Sequence, residues 1–389
     1  MRPPAADILA AVRTADELLE PWFEQLRRDL GPLDLLDAHT HVGANDPDGF
    51  KQAPDELDAR LAAANARGVV FPMHEPEGYR AANDWVLATA AASGGRMTAF
   101  CRVDPADDAR GEALRALDAG ARGIKLHPRA ERFTLSHPGV EPLIALAHER
   151  GVPVLVHAGR GIPALGRDTL RLAASYPGAR LILAHAAISD LAWLWRELPS
   201  HPNVFVDTSW WNASDLLALL ALAPPGQVLW ASDSPYGTPL QAAVVTLRCA
   251  VQAGLDPDAI RSVAGGQMAR LLAGEEPLDV GPAPGPAAGA AAAGTDPLLT
   301  RLADYLVAAL NRRVAGDDGD EPVALARLAA AVADDMPQAA LCTSVLDLID
   351  RAEDLRSEPP EKRLPFADLH VLSCALAVTR TPDVPVPVL

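Results

Sequence analysis

His39 and His41 in LLDAHTHVG, His157 in PVLVHAG, His185 in LILAHAA and Asp233 in VLWASDSPYG each stand at the end of a short apolar run that reads as a buried strand. Neutral imidazole is the commonest protein ligand for zinc and related divalent ions, and three His or carboxylate ligands with an open position describe a catalytic site. Side chains on a strand alternate with period two, so His39 and His41 point to one side, and Asp37 is expected to share their direction one step deeper. In a ring of parallel strands the C-terminal ends meet at one place, so these residues can converge on a metal ion.

The elements that must position them are legible as runs rich in Val, Ile and Leu, near 33–38, 68–72, 97–102, 121–126, 153–157, 180–185, 203–207 and 227–232. Ala/Leu/Arg segments of helical period separate them, among them 77–92, 107–119, 140–150 and 238–253. Eight βα units in about 240 residues predict a (β/α)8 TIM barrel. Spacing agrees: His157 to His185 is 28 residues, His185 to Asp233 is 48 and His41 to His157 is 116, or one, two and four repeats. The five residues therefore fall on strands one, five, six and eight.

The expected organisation is an N-terminal helical extension over 1–32, the barrel over 33–276, a Pro/Gly/Ala-rich linker over 277–295 and a helical C-terminal domain over 296–389. Two folding units suit 389 residues of 49% apolar composition, since single cores stop growing near ~250–300 residues. A net charge of -17 argues against nucleic acid as a partner. The N-terminal stretch carries charges throughout, unlike a secretory signal, and the longest apolar run, LLALLALA from Leu216, is too short to span a membrane. Four scattered cysteines, Cys101, Cys249, Cys342 and Cys374, suit a reducing interior as small buried residues. A soluble cytoplasmic protein acting on a small molecule is expected, with the C-terminal helices packed on the barrel or in a homo-oligomer interface.

The motifs DAHTH, GARGIKLHP, GVPVLVHAG, ILAHA, NVFVDTS, LWASDSPYG and GGQMARLLAG, spread over residues 33–273, make the chain resemble the amidohydrolase superfamily, in its amidohydrolase-related branch of hydrolases and zinc-dependent decarboxylases. The resemblance implies that His39, His41, His157 and Asp233 bind one divalent metal, expected to be Zn2+. It implies that Asp233 doubles as general base and that His185 stands just outside the ligands as acid/base partner. Binuclear members carry a strand-four lysine that can bridge two metals. GIKLHP is more typical of the mononuclear branch, so Lys125 is read as a cation that contacts substrate or supports a ligand, with His127 ending its strand.

Residues after strand ends could select substrate: Glu75, Tyr79 and Arg80, then Arg129, Arg160, Trp210, Trp211 and Tyr236. Arginine pairs with carboxylates and indole supplies flat apolar walls, so Arg129, Arg160 and Trp210 with Lys125 are the expected substrate contacts. His74, His137, His148, His201 and His370 have no partner at telling spacing and are read as structural or exposed. The expected activity is hydrolysis of an amide, ester or lactone of a small organic acid. Non-oxidative decarboxylation of an aromatic or unsaturated carboxylate is the alternative.

Overall fold

The computed structural model describes residues 15–387 apart from Ala293 and Thr295. Nine parallel strands are β1 (Leu35–Val42), β2 (Ala66–Pro72), β3 (Met97–Ala99), β4 (Cys101–Arg102), β5 (Ile124–Leu126), β6 (Pro153–Val156), β7 (Arg180–Leu183), β8 (Val204–Asp207) and β9 (Val228–Leu229). They pair in chain order, with β3 and β4 forming a single stave broken at Phe100. At the break the Phe100 N–H donates to Val70 O at 2.9 Å and the Cys101 N–H to Gly123 O at 3.0 Å, so pairing passes from one neighbour to the other. The ring closes where Thr40 bridges Ser234 and the Ala38 N–H donates to Trp230 O at 3.0 Å. The result is the predicted eight-stave barrel, with helices around it.

Leu36, Ala38, Val69, Phe71, Phe100, Leu155, Ile182, Phe205 and Leu229 fill the barrel interior, and Met268 and Leu271 from helix Gln267–Ala273 pack with them. A Cβ on Gly123 would lie 2.5 Å from the Phe100 ring, so glycine there makes room for an inward aromatic. Leu36 and Ala38 face this interior, and a register shift between Asp37 and Thr40 then changes the phase of β1. Asp37 consequently parts company with the two histidines. Its carboxylate accepts from the His39 and Ser232 N–H groups at 3.0 Å each, tying the first stave to the last. Burial pushes its pKa up to about 7.

The N-terminal helix Asp16–Leu30 buries Leu19, Trp22, Phe23 and Leu26, an i, i+3, i+4, i+7 stripe, against helix Pro239–Gln252. The Pro/Gly/Ala tract is more than a spacer. Its Leu278 N–H donates to Gln267 Oε1 at 2.8 Å, and its helix Pro286–Ala292 lies on helix Ala213–Leu222. A Cβ on Gly289 would stand 3.0 Å from the Ala221 methyl. Small residues let the backbones approach closely, which replaces side-chain packing.

Four further helices follow: Pro297–Val314, Asp320–Ala330, Ala339–Ser357 and Ala367–Arg380. In the last, every residue from Ala367 to Thr379 is buried, because it lies between its own bundle and barrel helix Pro239–Gln252. Gln241 Nε2 donates to Ser373 Oγ at 2.8 Å, and the buried Arg248 guanidinium donates to Thr381 Oγ1, Thr381 O, Val384 O and Pro385 O at 2.9–3.1 Å. The helical segment and the barrel thus share one continuous core. All four cysteines are buried and unpaired. No helix among the described residues is long and apolar enough to cross a membrane.

His370 joins the two regions through its Nε2–H, which donates to Tyr236 O at 2.7 Å. Burial lowers its pKa from 6.5 to about 4, partly countered by that bond, so the folded state keeps the ring neutral. A depressed folded-state pKa contributes stability that is complete above pH 6.5 and is lost as pH falls toward 4. We expect urea unfolding at pH 5 to show a loss of about 2 kcal/mol from this group, and His370→Gln to remove that part of the pH dependence.

Candidate active site

Short staves ending in His or Asp deliver polar side chains to the C-terminal mouth of the barrel. The phase shift in β1 brings His39 and His41 there together, with ring centroids 5.1 Å apart and both against Phe71. Asp233 arrives from the last stave in a left-handed conformation, φ 59°, its N–H donating to His39 O at 2.9 Å. His185, Ala186 and Ala187 are left-handed in succession, with φ of 58°, 56° and 50°, a strained run at the end of β7.

The geometry is tight. Asp233 Oδ1 lies 3.0 Å from His39 Nε2 and 3.1 Å from His41 Nε2, and the two Nε2 atoms are 3.2 Å apart. His185 Nδ1 is 3.9 Å from Asp233 Oδ2, and His185 Nε2 is 2.9 Å from His157 Nδ1. His157 stacks on His127 with centroids 3.9 Å apart. Lys125, expected among the substrate contacts, is fully buried with its Nζ 3.2 Å from His39 Nε2, in the ligand cluster and not in the cavity lining.

Burial lowers the pKa of His41 to about 3 despite Asp233 beside it, and it lowers His185, His157 and His127 as well. These rings are neutral and carry lone pairs. His39 is raised, because Asp233 and Asp207 outweigh burial and Lys125. Burial alone would raise Asp233, yet His39 and His41 hold it well below the usual carboxylate range. Lys125 is lowered to about 7 by burial.

This donor set suits a divalent cation. Bonds of ~2.0–2.2 Å to one ion place neighbouring ligand atoms about 3.0–3.5 Å apart, the separation seen among His39, His41 and Asp233. Ligand atoms of His39, His185 and Asp233 all lie within 4.8 Å of one another, a group able to hold a metal ion. His41 Nδ1 and His157 Nε2 are buried with no hydrogen-bond partner among the described residues.

Asp207, at the end of β8, escaped the sequence reading although it obeys the same strand-end rule as the others. Its Oδ2 accepts from His39 Nδ1–H at 2.9 Å, and its Oδ1 accepts from the His185 and Ser209 N–H groups at 2.9 and 3.0 Å. This leaves His39 Nε2 free to bind a cation. Ser209 O in turn accepts from His185 Nδ1 at 2.9 Å. We expect Asp207→Asn to weaken metal binding by about 10- to 100-fold with little change in fold, measured by chelator competition.

A cavity of about 700 Å³ opens over the site. His41, His157, His185 and Asp233 line it, as do the expected Arg129, Arg160, Trp210, Trp211 and Tyr236. Arg160 lies over the Trp210 ring at 5.3 Å, and the Trp210 indole N–H donates to Asp215 at 2.8 Å. Arg102 and Arg132 line the cavity too and were not anticipated; a lone arginine inside the apolar run AFCRV was the available signal for Arg102. Arg102 pairs with buried Glu131 at 2.7 Å, and Tyr79, expected at the cavity, instead donates to Glu131 at 2.5 Å. Glu75 accepts from Asn45 at 2.6 Å, and neither it nor Arg80 lines the cavity. His74, read as structural, does line it.

The family profile described as Amidohydrolase matches residues 36–274. Comparison with curated proteins yields no match. Among solved structures, the chain is similar to 5-carboxyvanillate decarboxylase LigW from Sphingomonas paucimobilis, at 17% identity and TM-score 0.50 over 62% of this chain and 99% of that one. It is also similar to the Tim-barrel protein Bb4693 from Bordetella bronchiseptica, at 18% identity and TM-score 0.51, with 62% and 99% covered. A third, 2,6-dihydroxybenzoate decarboxylase from Rhizobium, matches at 15% identity and TM-score 0.50 over the same shares, 62% and 99%. At these identities the likeness is one of fold.

Proposed function

The chain belongs to the amidohydrolase family, and from its site we propose a metal-dependent enzyme that activates water against an amide, ester or lactone carbonyl of a small organic acid. One observation carries this reading: His39 and His41 converge on a single Asp233 oxygen at 3.0 and 3.1 Å. Asp233, His41 and His185 also line an arginine-bearing cavity. His39, His41, His157 and Asp233 would hold one divalent ion, Zn2+ in our reading, with His185 beside them. Such an ion, when bound, polarises a substrate oxygen and brings the pKa of its water near 7.

The protein's own groups supply the rest. Asp233 is ionised at neutral pH, so its carboxylate takes the proton of the attacking water and passes it to the leaving group. His185, kept neutral by burial and with its Nδ1–H held by Ser209 O, presents a lone pair at Nε2 that accepts a hydrogen bond within the site. Arg129 and Arg160 hold a substrate carboxylate, and Trp210 gives its body a flat wall.

A second reading, non-oxidative decarboxylation, is favoured by the arginines: Arg102, Arg129, Arg132 and Arg160 line the same cavity as His185 and Asp233. Two of the similar structures are decarboxylases by name. In that reaction the electron pair of the carbon–carboxylate bond stays on the substrate carbon, which takes a proton that Asp233 has first accepted from water, so that CO2 leaves and Asp233 returns to its carboxylate. A panel of aryl carboxylates, lactones and amides, run in 18O-labelled water with both CO2 and acid recorded, separates the two. New acid carrying solvent oxygen supports hydrolysis. Release of CO2 without new acid overturns it in favour of the lyase, and neither product from metal-loaded protein overturns both.

A further inference from the structure

The family match ends at residue 274, yet the cavity wall does not. Val307, Leu310, Asn311 and Val314 of helix Pro297–Val314 line the cavity together with Phe366, which precedes the last helix. These four helix positions follow an i, i+3, i+4, i+7 pattern and so share one face. Leu299, Leu302, Leu306 and Ala309 are buried within the helical region, and Leu310 is buried with them, so it edges both that core and the cavity. Val307 is half-buried and Val314 exposed, so this face carries apolar surface that the helical core does not cover. Val314 is 56% exposed, an apolar side chain that packing within this helical region leaves uncovered.

On the barrel side, Arg129, Arg132 and Arg160 line the same cavity. All three are exposed, and none has a carboxylate partner among the described residues, in a chain with 51 acidic and 34 basic residues. Cations left unpaired in so acidic a protein are available to an anion from outside. Cavities of ~300–1,000 Å³ accept drug-sized ligands, and about 700 Å³ exceeds what a single-ring acid fills.

We propose that the C-terminal helices form the apolar wall of the substrate pocket, and that the substrate is an extended amphipathic organic acid. Its carboxylate meets Arg129, Arg132 and Arg160, and its apolar extension packs on Val307, Leu310 and Val314. This deepens the reading above and rests on it for which bond reacts.

Binding alone tests it. Benzoate, 4-butylbenzoate and 4-octylbenzoate are titrated calorimetrically into the purified full-length protein. Affinity rises with chain length, by up to about fourfold per buried methylene. The Val307→Gln/Val314→Gln protein, changed at partly and largely exposed positions, flattens the series, whereas Arg129→Ala/Arg160→Ala lowers every member by a similar factor. A flat series for the unaltered protein overturns the proposal, as does equal loss across the series in the valine variant. Val314→Gln alone, checked for an unchanged melting temperature, gives a partial flattening and covers a double variant that fails to fold. Neither metal nor turnover enters this titration, so failure of the hydrolase or lyase reading shows separately, in metal content and product assays.

Discussion

Asp233→Asn lowers kcat/KM by about 10³- to 10⁴-fold and strips most of the bound metal, with the fold intact. The substitution keeps the shape and removes the charge on which two histidine Nε2 atoms converge at 3.0 and 3.1 Å. Asparagine is the right test because Asp233 has φ 59°, a left-handed conformation that Asn tolerates and most other residues resist. Elemental analysis, steady-state kinetics and thermal melting on the same preparation check it. Retention of both metal and turnover would remove Asp233 from the centre of the site. Histidine variants are less clean, since His39 and His41 also pack on Phe71 and each loss opens a buried void.

Deleting residues 296–389 yields protein that is insoluble or unfolded at 25 °C. The deletion uncovers helix Pro239–Gln252, whose residues from Pro239 to Ala250 are all buried. It also strips the buried Arg248 guanidinium of the four oxygens it binds, from Thr381, Val384 and Pro385. Losing the cover of several fully buried Leu and Val side chains at about 1.5–3 kcal/mol each exceeds the ~5–15 kcal/mol that keeps a domain folded. Expression of the truncated and full chains side by side, with gel filtration and circular dichroism, measures it. A soluble, cooperatively melting truncated protein would show that the barrel stands alone.

The barrel was readable because its staves are short apolar runs at regular spacing, and the site was readable because each stave ends abruptly in His or Asp. His39, His41 and Asp233 come together as the strand-end rule demands. Lys125 and Asp37 show the limit of that rule. Period-two counting assigns a side but cannot see the register shift that separates Asp37 from the histidines, nor the depth that puts Lys125 beside His39. The Pro/Gly/Ala tract misleads for a related reason: lack of large side chains argues against a core, yet permits the close approach of Gly289 to Ala221.

From the sequence alone follow the repeat length, the strand ends and the identity of the chemistry-bearing groups, all of which depend on local pattern and residue type. Tertiary structure alone decided that Asp207 orients His39 and that arginines from separate loops share one cavity. It alone set helices some 70 residues beyond Asp233 as part of that cavity's wall. Those relations are contacts between segments distant in the chain, and local pattern carries no record of which distant faces will meet.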